Sequence, residues 1–281
     1  MREEWQYAST WAAALAECGA HYPLQEMTID GATWSFLDTD TGDETLLLLP
    51  GAMGFADTSF HFVLAFAPQM RAISVSYPAT VTDGDRLVDG LAALLTARGI
   101  DTAHVVGGSY SGLVAQRLAA RYPQHVASLI LANTWAPDPA RARWFCPAAW
   151  LVAHTPGWLL QRVMAAYMDR FLPGADPATH FWRGYFADLL PAFTPDLIAS
   201  RLRAFASLDA AQWSPAPNSP GPVLLVESSE DRLFGNKSRL GLRMCYPQAD
   251  VVTLECPGHA AALTHVGEYV RLYRDWMVYE H

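Results

Sequence analysis

The feature that most constrains this chain is one run, His104-Val105-Val106-Gly107-Gly108-Ser109-Tyr110-Ser111-Gly112-Leu113-Val114-Ala115. An apolar, β-branched stretch meets a serine set among small residues and passes at once into a helical pattern. A serine placed there projects its Oγ above a sheet only if the turn is strained. Strand and helix then approach so closely that the residues two before and two after the serine must be small. Gly107 meets that need, and Ser111 meets it as a small residue other than glycine. The pattern is therefore G-x-S-x-S, with Gly112 directly behind. Ser111 reads as a small residue at a tight crossing. The Tyr110 ring reads as packing, which leaves its amide as the functional group.

The neighbouring elements tell what such a turn is built into. Residues 26–38 read as a hairpin turning at Asp30-Gly31, and Leu46 to Leu49 as a strand buried on both faces. Ala72 to Tyr77, Ser128 to Ala132, Val223 to Val226 and Val251 to Leu254 read as further strands. Helices are expected from Asp85 to Ala97, closed by Gly99, from Ser111 to Arg121 and from about Gly267 to Tyr279. Strand alternating with helix predicts an α/β fold with a mostly parallel central sheet and helices on both faces. The alternation stops for about ninety residues between Ser128 and Val223, too long for a connecting loop.

That interruption, 137–220, is rich in aromatic residues. It holds Trp144, Trp150, Trp158, Trp182 and Trp213, with Phe145, Phe171, Phe181, Phe186, Phe193 and Phe205. It reads as a helical cap inserted into a core made of 1–136 and 221–281, rejoining it through the stiff stretch Trp213 to Pro220. About a third of these rings are expected to face a substrate, the rest to be core. Hydrophobic residues are 51% of the 281, charged residues 17%, and the formal charge is −9. This balance excludes a disordered chain and argues against a nucleic-acid partner. Cys18, Cys146, Cys245 and Cys256 lack CxxC spacing and read as reduced, mostly buried thiols. No glycine-rich phosphate loop or metal-ligand cluster stands out, so no cofactor and no metal are expected. No apolar run reaches membrane-span length, and Met1-Arg2-Glu3-Glu4-Trp5 with the short Ala-rich Trp11 to Ala16 is no secretory leader. A soluble, cytoplasmic protein is expected.

The turn at Ser109 resembles the nucleophile elbow of the α/β-hydrolases, and that resemblance implies a chain order of serine, acid, histidine. After Val223 to Val226 comes Glu227-Ser228-Ser229-Glu230-Asp231-Arg232. Asp231 is the first choice for the orienting acid, with Glu230 adjacent and Asp138 after the preceding strand as alternatives. After Val251 to Leu254 comes Glu255-Cys256-Pro257-Gly258-His259, which makes His259 the expected base and His265 its nearest competitor. The glycine-rich turn Pro50-Gly51-Ala52-Met53-Gly54 suits an oxyanion hole. Its donors would be the amides of Ala52, or else Met53, and of Tyr110. Pro50-Gly51 stands where many α/β-hydrolases carry His-Gly.

Within that superfamily the chain is similar to the maspardin-like group. The likeness lies in Ile29 to Leu37 with Trp34-Ser35, Leu49 to Asp57, Ser74 to Pro78, Gly107-Gly108-Ser109, Leu113 to Gln116 and Ser128 to Asn133. The superfamily implies a serine hydrolase in which Ser109, His259 and Asp231 form a triad. The expected substrate is a small ester or thioester with an apolar acyl or aromatic part. The same scaffold admits an acyltransferase, a cyclase or a lyase. Maspardin-like relatives add a non-catalytic binding protein as an alternative, against which Gly258-His259 speaks.

Overall fold

Leu46 to Leu49 are four leucines in a row, and the structure divides them two and two. The structure is a computed structural model and describes residues 11–52, 54–172, 174–210, 221–256 and 258–279. The first ten residues, Met53 as an alternative amide donor, and the stretch Trp213 to Pro220 lie outside the described residues. Strand β3 (Thr45–Leu49) turns Leu47 and Leu49 to one core and Leu46 and Leu48 to the other, the period-2 consequence of a sheet covered on both faces. The other strands are β1 (Gln25–Ile29), β2 (Ala32–Asp38), β4 (Arg71–Ser76), β5 (Ala103–Gly108), β6 (Val126–Ala132), β7 (Val223–Ser228) and β8 (Asp250–Leu254). Their order in the sheet is β1-β2-β4-β3-β5-β6-β7-β8. Pairings from β4 to β8 are parallel, while β1–β2 and β2–β4 are antiparallel.

The hairpin turn falls at Asp30-Gly31, both at positive φ (+49° and +73°), as an Asp-Gly turn requires. One face of the sheet is covered by α3 (Gly84–Ala97), α4 (Tyr110–Arg121) and α9 (Asn236–Cys245). Asp83 caps α3 by accepting from the amides of Asp85 and Arg86. The other face is covered by α1 (Trp11–His21), α2 (Phe60–Phe66) and α11 (Val266–Tyr279), with the short α10 (Ala261–Thr264) before the last. Helices α1, α2 and α9 were not expected from the sequence, whose apolar spacing there is short or mixed. Between β6 and β7 run four helices: α5 (Pro139–Ala153), α6 (Gly157–Phe171), α7 (Pro177–Leu189) and α8 (Pro195–Ala210). Among the described residues no helix is long and apolar enough to cross a membrane. All four cysteines are unpaired, with Cys18 and Cys256 buried and Cys146 exposed.

At the end of the sheet where the parallel strands begin, Asp38 is a charged anchor with a fully buried side chain. Arg71 grips it with two bonds of 2.6 and 2.9 Å, and Arg98 adds a third of 2.9 Å. Burial alone would raise the Asp38 pKa, but the Arg71 bonds, the Asp40 amide and the positive charges hold it below the ordinary carboxylate value. Its folded pKa lies under its unfolded one, so the ionised form stabilises the fold above pH ~4, and that stabilisation is lost as pH falls through the folded value. Asp38→Asn is expected to lower stability near neutral pH by about 3 kcal/mol, because two arginines lose their buried counter-charge and keep only the exposed Asp40. Urea unfolding across pH checks this: the gap between wild type and variant should narrow below pH ~4.

Candidate active site

Ser109 sits between the last residue of β5 and the first of α4 with φ +53° and ψ −124°, a conformation that costs a non-glycine residue roughly 1–3 kcal/mol. The surroundings hold it there. Its amide donates to the carbonyls of Ala132 (3.1 Å) and Asn133 (3.2 Å) at the end of β6. Its carbonyl accepts from the Thr134 hydroxyl at 2.7 Å and from the Gly112 amide at 3.1 Å. The glycines are required by contact: a Cβ on Gly107 would stand 2.5 Å from the Ser111 carbonyl oxygen, and one on Gly112 would collide with the Thr134 side chain.

Ser111 does more than be small. Its fully buried hydroxyl accepts from the Gly108 amide at 2.9 Å and lies 2.9 Å from the Leu49 carbonyl and 2.8 Å from that of Gly108. It thereby ties the end of β3, where the Pro50–Gly54 loop begins, to the turn that carries Ser109. A glycine at this position could not do so. The Tyr110 ring packs as expected, buried between Tyr77 and Phe205 at centroid distances of 5.8 and 5.3 Å.

The His259 imidazole is 2.8 Å from Ser109 through Nε2 and 2.8 Å from Asp231 through Nδ1. Asp231 is buried, with its Oδ1 accepting from the amides of Leu233 (2.8 Å) and Phe234 (3.1 Å). Burial pushes its pKa up, but the bond from His259 and those two amides outweigh this and leave it below the ordinary carboxylate value. An ionised carboxylate only accepts, so Nδ1 must carry the ring proton and Nε2 is left to accept from the Ser109 hydroxyl. That is the tautomer a base needs. Phe171 and Phe234 flank the imidazole at 5.7 and 4.9 Å.

The competing candidates lie elsewhere. Asp138 caps α5, accepting from the Ala140 amide, and Glu230 is exposed beside a second cavity. His265 bonds to Thr264 at the start of α11. In the Pro50–Gly54 loop, Pro50 and Gly51 line the cavity at Ser109, whereas Ala52 is exposed and does not. Tyr110 is the first residue of α4, where an amide has no partner within the helix.

The cavity at Ser109 measures about 150 Å³ and is walled by apolar side chains such as Leu48, Phe62, Val106, Leu263 and Tyr273, with Ser109 and His259 at its polar end. Of the aromatic residues singled out between β6 and β7, only Phe171 lines it among the described residues. Trp182, Phe186, Phe193 and Phe205 are core, and Trp144, Trp150 and Trp158 are exposed. The expected third was therefore too many.

Asn133 is the residue sequence reasoning missed. It follows β6 at φ +44°, a conformation asparagine tolerates, and accepts from the Ser228 amide at 2.8 Å. Its side-chain amide donates to the Ser228 hydroxyl (2.8 Å) and the His259 carbonyl (3.3 Å). It thus fixes the His259 loop relative to the ends of β6 and β7. The available signal was a lone polar residue closing an apolar strand.

A family profile described as "Alpha/beta hydrolase family" matches residues 46–272. The chain belongs to that family. Maspardin from Homo sapiens is 25% identical over 261 residues, covering 89% of this chain and 82% of that protein. The putative carbamate hydrolase RutD of a Caulobacter species is 23% identical over 260 residues, covering 86% and 93%. Among solved structures, a hydrolase from Pseudomonas aeruginosa aligns with a TM-score of 0.74 at 20% identity over 91% of this chain and 98% of that one. The enol-lactonase from Burkholderia xenovorans gives 0.74 at 18% identity over 90% and 100%. The strand order and the turn at Ser109 are what a member of this family needs.

Removing the Ser111 hydroxyl by Ser111→Ala should destabilise the fold by about 1–3 kcal/mol, because the Gly108 amide and a buried carbonyl lose their partner. Urea unfolding of variant and wild type checks it. A change within a few tenths of a kcal/mol would mean that the hydroxyl is not a structural tie.

Proposed function

We propose that this chain is a serine hydrolase for esters or thioesters whose acyl part is small and apolar, aromatic included. The observation that carries the proposal is the unbroken relay Asp231–His259–Ser109, 2.8 Å at each link, ending at the mouth of an apolar cavity. In the proposed cycle Ser109 Oγ attacks the substrate carbonyl while His259 Nε2 takes its proton. The tetrahedral oxyanion is met by the Tyr110 amide and by one from the Pro50–Gly54 loop, whose Pro50 and Gly51 border the cavity, each worth about 3–4 kcal/mol. The carbon–oxygen or carbon–sulfur bond then breaks, and His259 returns the proton to the departing alcohol or thiol. Water, deprotonated by His259, releases the acid and frees Ser109. Asp231 holds the imidazole tautomer throughout and offsets its positive charge.

The cavity bounds the acyl group. A volume near 150 Å³ is what a single benzene ring fills, whereas drug-sized ligands need about 300–1,000 Å³. The four helices between β6 and β7 act in this proposal as the lid, with Phe171 at the end of α6 walling both the cavity and the histidine. The similarity to a putative carbamate hydrolase and to an enol-lactonase is compatible with attack on an activated carbonyl.

The test is a series of p-nitrophenyl esters. Acetate, butyrate and benzoate should turn over, and long acyl chains should fall off steeply. Ser109→Ala is expected to remove turnover by about 10⁶-fold and Asp231→Asn by about 10⁴-fold. A wild type that binds these esters without turning them over would point to a binding protein of the maspardin-like kind. Appearance of a new ester when an alcohol is added would point to acyl transfer.

A further inference from the structure

Helix α6 has apolar residues on both sides. Leu160 and Met168 are buried, while Trp158 (63% exposed), Leu159, Val163 and Tyr167 are exposed. Large apolar side chains left exposed on a helix that also buries an apolar side are the pattern of one that expects a second covering. Helix α5, joined to it through His154 to Pro156, repeats the arrangement with Trp144 (70% exposed), Trp150 and Leu151. Among the described residues, seven of the thirteen exposed large hydrophobic side chains fall on these two helices. Exposed apolar side chains concentrated in this way mark a protein partner or a membrane surface.

The charge on the same helices decides between them. Residues 139–171 contain four arginines and one aspartate, on a chain whose formal charge is −9. Arg143, Arg162 and Arg170 are exposed and fall at helical spacing among the tryptophans and leucines. Tryptophan, aliphatic residues and arginine on one helix face are the composition that settles at the headgroup level of an anionic bilayer. A two-fold contact between copies would set these arginines against each other. We propose that α5 and α6 seat the molecule on an anionic lipid surface. The seat adjoins the candidate active site, because Tyr167, Arg170 and Phe171 of α6 line a second cavity of about 480 Å³ that also reaches His259. Apolar substrates dissolved in the bilayer would then enter close to the serine. The seat itself does not depend on the chain being a hydrolase.

Flotation with vesicles tests it. Wild type should float with phosphatidylcholine vesicles containing phosphatidylglycerol, much less with phosphatidylcholine alone, and less as salt is raised. The double variant Trp150→Ser and Trp158→Ser should bind at least about tenfold more weakly. Its near-ultraviolet circular dichroism and its reactivity toward a water-soluble short ester should match wild type. Absence of flotation in wild type, or flotation unchanged in the double variant, would overturn the proposal. So would a concentration-dependent dimer in sedimentation velocity that the double variant abolishes, since a second copy would then be what covers the patch.

Discussion

Everything at the candidate site depends on one strained residue. Ser109 occupies a backbone conformation that an L-amino acid avoids, and it stays there because four hydrogen bonds to its own amide and carbonyl leave it no alternative. Two of them go to the last carbonyl of β6 and the one directly after it, so the strain is held from the neighbouring strand as well as by the turn itself. Close packing then dictates the glycines on either side. The Ser111 hydroxyl carries the constraint onward to β3 and the loop where an oxyanion would be met.

The remaining groups arrive from far along the chain. Ser109 follows β5, Asp231 follows β7 and His259 follows β8, and parallel pairing brings all three strand ends to one edge. Asn133 keeps these ends in register by bonding to both the β7 terminus and the His259 loop. The bond from Asp231 fixes the imidazole tautomer, and the amides of Leu233 and Phe234 hold that buried carboxylate in place. The ion-paired anchor at Asp38 lies at the opposite end of the sheet, where stability can be held without touching the candidate site.

Much of this was legible beforehand because it rests on local rules. Leu46 to Leu49 announced a strand buried on both faces, Asp30-Gly31 a hairpin turn, and Gly107 to Gly112 a turn with no room for side chains. Asp231 and His259 could be named because the chain order implied by the α/β-hydrolase resemblance is met in the loops directly after two apolar strands. What escaped was tertiary. Nothing in the sequence distinguishes Phe171, which walls the cavity, from Trp182, which fills the core, or from Trp158, which is exposed. The Ser111 hydroxyl looked like mere smallness, since its partner Leu49 is sixty-two residues away. The exposure of Ala52 is set by how its loop folds over the cavity, which no spacing rule conveys.

The central claim is that this geometry makes Ser109 a nucleophile, and intact-mass analysis after exposure to a fluorophosphonate tests it most directly. One adduct per wild-type chain, absent from folded Ser109→Ala, is the result the account requires. An unlabelled but folded wild type, or an equal adduct on the variant, would contradict it.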